Sequence, residues 1–305
     1  MKKILITGGA GFIGTNLIKS LINKYHIICV DNLLCSSYSN VEEFDTYNNF
    51  EFINEDIIGI KNIDCDFIFN LACPASPVWY SKYHIETIKT CTQGMFNILD
   101  IAIKNNAKLF HASTSEVYGD PNISPQNENY YGNVNSYGPR SCYDEGKRCA
   151  ETLFMDYYRE HKIRIKIVRI FNTYGPNMSK NDGRVVSNFI LQALNNENIT
   201  IYGDGLQTRS FQFIDDLIEG LIKMMNSDFT GPVNLGNPLE LSMKDLAHKI
   251  NASTFGHMFF RDYPKPEQYH QQLSLVPRFP DPSFQTSYPV LVSAVLQTSE
   301  RVCRR

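Results

Sequence analysis

The chain has 305 residues, 43% of them apolar, with a formal net charge of -3. That is enough to bury one large core or two modest ones, and the near-neutral charge with no basic block excludes an electrostatic nucleic-acid binder. Eight scattered cysteines without a Cys-x-x-Cys pair exclude a zinc motif, so no metal is expected, and with no leader pattern or eighteen-residue apolar run the reading is a soluble, cytoplasmic protein.

The apolar run Lys3-Ile4-Leu5-Ile6 predicts a buried strand. It enters Thr7-Gly8-Gly9-Ala10-Gly11-Phe12-Ile13-Gly14, and the pattern Ile13, Leu17, Ile18, Leu21 and Ile22 predicts a helix. Glycines at 8, 11 and 14 have the spacing of a dinucleotide-binding turn. Gly8 permits the turn, Gly11 lets backbone approach a pyrophosphate, and Gly14 lets helix pack on strand; the helix start offers free N–H groups to the phosphates. A second run, 27–30, ends in Asp31, placed to accept hydrogen bonds from a ribose diol and to repel a 2′-phosphate. No Arg or Lys lies between Asp31 and Glu51, so the expected cofactor is NAD rather than NADP.

Further apolar runs at 66–71, 107–112 and 165–170 predict buried strands alternating with helices. This is an α/β fold: a Rossmann-type, doubly wound parallel sheet with a smaller C-terminal substrate-binding domain. The segment 84–106 places Ile85, Ile88, Met95, Phe96, Leu99 and Ile103 on one side of a helix. The segment 143–160 does likewise with Ala150, Leu153, Phe154, Tyr157 and Tyr158. By pattern alone these faces suit core packing or a helix-pair dimer equally. The expected domains are 1–171, with a returning segment near 205–237, and 172–250, with helices at 185–196 and 214–226 and a strand at Thr200-Ile201-Tyr202. From about Asn251 the periods fade among six prolines, and 251–305 is expected to be an irregular tail whose only element is near Val290-Leu291-Val292.

Tyr143-x-x-x-Lys147 sits on a predicted helix, where residues four apart share a face. A nearby ammonium and a nicotinamide cation both lower a phenol's pKa, which makes it a usable base near neutrality. Thr114, Ser115 and Glu116 follow a predicted strand at its C-terminal end, where ligands of such sheets bind. Thr114 can bond the same substrate hydroxyl as Tyr143, and Glu116 is either a second acid–base group or part of a polar turn.

The glycine turn, Thr114 with Tyr143-x-x-x-Lys147, Leu71-Ala72-Cys73-Pro74-Ala75-Ser76-Pro77 and Arg169-Ile170-Phe171-Asn172-Thr173-Tyr174-Gly175-Pro176 are long, ordered motifs, continued by Gln207-Thr208-Arg209-Ser210-Phe211-Gln212. Over roughly residues 1–250 the chain resembles the extended short-chain dehydrogenase/reductases that act on nucleotide sugars, and within them the UDP-glucuronate decarboxylases. The resemblance implies oxidation at sugar C4, loss of carbon dioxide from the 4-keto acid and re-reduction to UDP-xylose, with NAD regenerated in place. It implies catalytic roles for Thr114, Ser115, Glu116, Tyr143 and Lys147. Cofactor contacts fall to Gly8, Gly11, Phe12, Ile13, Gly14, Asp31, Asn32, Asp56, Ile57, Leu71, Ala72, Thr90, Tyr143 and Lys147. UDP-sugar contacts fall to Asn172, Val186, Tyr202, Gln207 and Arg209, with Tyr202 stacking on uracil. The related 4,6-dehydratases carry Asp where Ser115 stands, and epimerases lack this Ser-Glu-Val pattern. The resemblance also implies a homodimer through helices near 84–106 and 143–160.

The family's late basic segment, with its arginine for the sugar carboxylate, and its Trp-bearing final helix do not recur here. Arg261-Asp262-Tyr263-Pro264-Lys265-Pro266 matches it poorly, neither Arg261 nor Arg278 maps onto that arginine, and the single Trp is Trp79. The alternatives are therefore another nucleotide-sugar 4-epimerase or 4,6-dehydratase, or a catalytically impaired NAD-binding homologue.

Overall fold

The computed structural model describes residues 1–252 and 258–261. Its first half alternates strands and helices: β1 Lys3–Thr7, α1 Phe12–Leu21, β2 His26–Val30, β3 Phe50–Ile53, β4 Phe67–Asn70, α2 Pro77–Tyr80, α3 His84–Cys91, α4 Gln93–Asn105, β5 Lys108–Thr114, α5 Ser141–His161 and β6 Ile165–Ile170. The second half has shorter elements: β7 Thr173–Tyr174, α6 Val185–Leu194, β8 Ile199–Tyr202, β9 Thr208–Ser210, β10 Gln212–Phe213, α7 Ile214–Asn226, β11 Val233–Leu235, β12 Glu240–Ser242, α8 Met243–Ala252 and β13 Met258–Arg261.

Seven strands form one sheet in the order β11-β6-β5-β4-β1-β2-β3. The pairings β3–β2, β2–β1, β1–β4 and β4–β5 are all parallel. Chain order reverses between β1 and β4, the switch point at which such sheets bind ligands beyond their carboxyl ends. Nearly every residue of β1, β2 and β5 is buried, because helices cover both sheet faces. One side of the sheet packs Leu5, Ile28, Ile68 and Leu109 with Met95, Ile98 and Leu99 of α4 and Phe154 of α5.

The chain divides into two compact units. The first comprises Met1–Val117, Val134–Arg169 and Ile218–Val233; the second comprises Tyr118–Asn133, Ile170–Leu217 and Asn234–Arg305. Within the first, Glu151 of α5 ties three elements together. It accepts from Arg169 Nε (2.9 Å) and Nη2 (2.7 Å) on β6 and from Ser113 Oγ (2.6 Å) on β5. In the second, Tyr118 donates to Asn234 Oδ1 (2.6 Å), and Gln212 Nε2 donates to Thr173 Oγ1 (3.0 Å) and Leu235 O (2.9 Å).

Two expectations need correction. The segment 84–106 is not one helix: it breaks at Thr92, whose φ of -120° and ψ of -76° lie outside the helical region. The break rephases the apolar stripe, so Met95 and Leu99 are buried whereas Ile85, Phe96 and Ile103 are exposed. The chain past Asn251 also holds an element the prolines concealed. β13 pairs in parallel with β8 and sets Arg261 opposite Tyr202 in register. The short run Met258-Phe259-Phe260 carries that strand. The rest of the expected tail, 253–257 and 262–305, including 290–292 and Arg278, lies outside the described residues.

Candidate active site

The turn between β1 and α1 uses backbone where other turns carry side chains. Gly8 has a φ of +67°, and a Cβ there would lie 2.8 Å from the Ala72 backbone. Its N–H donates to Val30 O (2.8 Å). A Cβ at Gly14 would lie 2.4 Å from Gly8 O, so α1 can start this close only without a side chain. A Cβ at Gly11 would touch only Gly8 O, at 3.2 Å, which leaves its outer side open. Gly11 caps α1 without a side-chain hydrogen bond, so the N–H groups around Phe12, Ile13 and Gly14 remain available to an anion. This cradle fits the pyrophosphate of a dinucleotide.

Asp31 directly follows β2 and is buried. It accepts from Ala10 N (3.0 Å), Leu33 N (2.9 Å) and Ser36 Oγ (2.8 Å). Burial pushes its pKa up, and those three hydrogen bonds pull against it. A carboxylate has about four acceptor positions, so one remains for a ribose hydroxyl. Asn32 Nδ2 donates to Asp56 Oδ2 (2.7 Å), which brings those two expected cofactor residues together. Ile57 is placed differently: its side chain is buried against Gly94 of α4, so only its backbone can face a ligand. Leu71 and Ala72 press on Gly8. Thr90, on α3, is nearly buried and donates to Glu86 O (2.8 Å).

The catalytic candidates gather where β5 ends beside the start of α5. Thr114, Ser115, Tyr143 and Lys147 are each less than a tenth exposed. Thr114 Oγ1 accepts from Glu116 N (3.2 Å), which closes the turn after β5. Lys147 Nζ donates to Ala112 O (2.7 Å) and lies 5.9 Å from the Tyr143 ring centroid. The i,i+4 spacing thus brings phenol and ammonium into one place.

Two neighbours escaped the sequence reading. Tyr80 stacks on Tyr143, with centroids 5.1 Å apart and planes 13° apart, and no spacing signal marks it. Arg140 pairs with the Glu116 carboxylate and lies 3.8 Å from Asp144. The Arg140/Asp144 spacing of four, just before Tyr143, is a signal that could have found it.

Asp144 is buried, and its Oδ1 has no hydrogen-bond partner among the described residues. Burial raises its pKa to about 6, against the pull of Arg140. A carboxyl whose folded-state pKa is raised favours folding while protonated, and this contribution is lost as pH rises from about 4 through 6. Asp144→Asn should therefore gain stability relative to the parent between pH 4.5 and 7.5, by on the order of 2 kcal/mol. Thermal melts at the two pH values check this, and a variant that loses ground at the higher pH contradicts it.

The UDP-sugar candidates all lie in the second unit. Gln207 Nε2 donates to Tyr202 O (2.9 Å), and Tyr202 is half exposed on β8. Asn172 Nδ2 reaches Ser210 O (3.4 Å), and Arg209 Nη1 donates to Thr208 O (2.8 Å). Val186 is buried in the first turn of α6.

Residues 4–236 match the family model described as NAD dependent epimerase/dehydratase family. The chain is 50% identical over 250 residues to UDP-glucuronic acid decarboxylase 6 of Arabidopsis thaliana, covering 81% of this chain and 73% of that protein. It is 51% identical over 250 residues to UDP-glucuronic acid decarboxylase 1 of Xenopus tropicalis, covering 82% of this chain and 59% of that longer protein. A solved UDP-glucuronic acid 4-epimerase from Bacillus cereus, in complex with UDP-glucuronic acid and NAD, superposes with a TM-score of 0.85 at 25% identity, over 98% of this chain and 99% of that one. The UDP-N-acetylglucosamine 4-epimerase of Methanobrevibacter ruminantium M1 shares the fold, with a TM-score of 0.89 at 23% identity over 100% and 99% of the two chains.

Proposed function

This chain belongs to the NAD dependent epimerase/dehydratase family, and from that premise we propose that it decarboxylates UDP-glucuronate to UDP-xylose with tightly held NAD. The observation that carries the reading is the cluster of Thr114, Tyr143 and Lys147 at the end of β5, on the same unit as an intact dinucleotide turn. The half-identity to plant and vertebrate decarboxylases supports the choice of reaction.

Gly8, Gly11, Gly14, Asp31 and Asn32 are the residues that would hold NAD. When bound, NAD supplies a two-electron acceptor that takes electrons from sugar C4 and later returns them. Tyr143 removes the C4 hydroxyl proton, while the Lys147 ammonium stabilises negative charge on the phenol oxygen. Thr114 holds the same hydroxyl. The resulting 4-ketone is β to the C5 carboxylate, so the C5–carboxylate bond breaks, carbon dioxide leaves, and the electron pair passes into the ketone. C5 of the enolate then gains a proton beside Ser115 and Glu116, and Tyr143 returns a proton to the C4 oxygen. A serine at 115 does not supply the acid that expels water from C6, which argues against a dehydratase. Asn172, Val186, Tyr202, Gln207 and Arg209 bind the UDP portion; a guanidinium such as that of Arg209 suits phosphate.

A homodimer through α3, α4 and α5 accompanies this reading. Ile85, Phe96, Ile103 and Tyr158 project from those helices and are more than a third exposed. The free cysteines at seven described positions support a reducing, cytoplasmic setting. No described helix is long and apolar enough to cross a membrane. Incubation with UDP-glucuronate and no added NAD tests the function. Release of carbon dioxide with a UDP-pentose supports it; a product that keeps the carboxylate indicates a 4-epimerase, and no product indicates an impaired homologue.

A further inference from the structure

Cys73 and Cys91 meet beside the dinucleotide turn. Their Sγ atoms are 3.5 Å apart and hydrogen-bonded. Cys73 follows Leu71-Ala72, the backbone that presses on Gly8, and Cys91 ends α3 directly after Thr90. We propose that Cys73 and Cys91 form a reversible disulfide that switches the dinucleotide site off.

Chemistry favours this pair over its neighbours. The hydrogen bond with Cys91 holds the Cys73 thiol below its ordinary pKa, and the Lys147 ammonium adds to this against burial. Burial pushes Cys35 up to about 12 and raises Cys142 too, so neither competes as a thiolate. Cys73 is half-buried, whereas Cys91 is buried, so Cys73 meets the oxidant first. With glutathione disulfide as oxidant, the Cys73 thiolate attacks one sulfur and releases one glutathione. The hydrogen bond with Cys73 and burial hold the Cys91 thiol well above its ordinary pKa, so Cys91 attacks Cys73 Sγ as its proton passes to the departing glutathione sulfur, and the mixed disulfide breaks. Two protein thiols are oxidised and one glutathione disulfide is reduced to two glutathiones, so atoms and electrons balance.

The bridge must shorten the sulfur separation to about 2 Å. Cys91 packs on Gly146 of α5, close enough that a Cβ at position 146 would lie 3.0 Å from Cys91 Cβ and 3.3 Å from its Sγ. With Cys91 packed on α5, the shortening is assigned to the 71–73 loop, whose Leu71-Ala72 backbone lies against Gly8. Loss of turnover on bridging rests on the function proposed above; the bridge and its effect on NAD affinity do not.

The test treats the full chain with glutathione disulfide, followed by non-reducing peptide mapping, NAD calorimetry and turnover of UDP-glucuronate. A Cys73–Cys91 crosslink with weakened NAD binding and lost turnover, both restored by dithiothreitol, is expected. Cys91→Ala, or Cys73→Ser should that variant not fold, should bind NAD as before and resist the oxidant. Mapping that finds no such crosslink, or Cys73 joined to Cys35 instead, overturns the proposal. A crosslink that leaves NAD affinity unchanged overturns the switch. If the reduced protein turns nothing over, the function fails alone, and NAD affinity still decides the switch.

Discussion

Tyr143→Phe should lower turnover by about 10²- to 10⁴-fold, the range that a positioned acid–base group contributes. The reason is local. The Tyr143 ring is held by its stack on Tyr80 and the Lys147 ammonium beside it, and the ring survives the substitution. Only the proton-carrying oxygen is lost. NAD affinity should stay within a few-fold of the parent, because the Gly8–Gly14 turn and Asp31 are untouched. Stopped-flow turnover with NAD calorimetry checks both. A variant that retains more than a tenth of the parent rate would move the base elsewhere, and Glu116 becomes the group to examine.

Arg169→Met should cost about 3–5 kcal/mol of stability, the cost of removing one partner from a buried ion pair. Arg169 and Glu151 are 11% and 13% exposed at their side chains, and Arg169 grips both Glu151 oxygens. Without it, Glu151 keeps a buried negative charge, with Ser113 as its donor. For a domain of this size the loss is roughly a 10 °C fall in melting temperature. Pairing it with Glu151→Gln should recover much of that loss, because the stranded charge is removed. A single variant that melts within about 2 °C of the parent contradicts the assignment. Ser113 precedes Thr114, and Glu151 sits one turn beyond Lys147, so this network also locates the candidate catalytic side chains.

What the residues announced and what they hid differ in kind. The glycine turn was legible because its backbone geometry admits no side chain: a Cβ at 8 or 14 would lie under 3 Å from backbone atoms, and the spacing states as much. The five buried strands were legible as continuous apolar runs, and β6 spans 165–170 as expected. Helix periodicity put Tyr143 and Lys147 on one face, and the segment around Thr114 after a buried strand gave that common spacing its weight. The break at Thr92 did not, since an apolar pattern continues through it and only the backbone angles reveal the change of phase. Strand β13 was hidden because strand identity there comes from pairing with β8, more than 50 residues earlier. Tyr80 reaches the site through three-dimensional packing that no local spacing encodes, whereas Arg140 carried a signal in its spacing of four from Asp144.

The central claim is that sugar C4 is oxidised and then restored within one catalytic cycle. UDP-glucuronate carrying deuterium at C4, given to the protein in ordinary water without added cofactor, tests it most directly. The expected product is a UDP-pentose that keeps deuterium at C4 and has gained one solvent hydrogen at C5. A product with C4 deuterium lost to solvent, or decarboxylation that proceeds unchanged in Tyr143→Phe, would contradict the account.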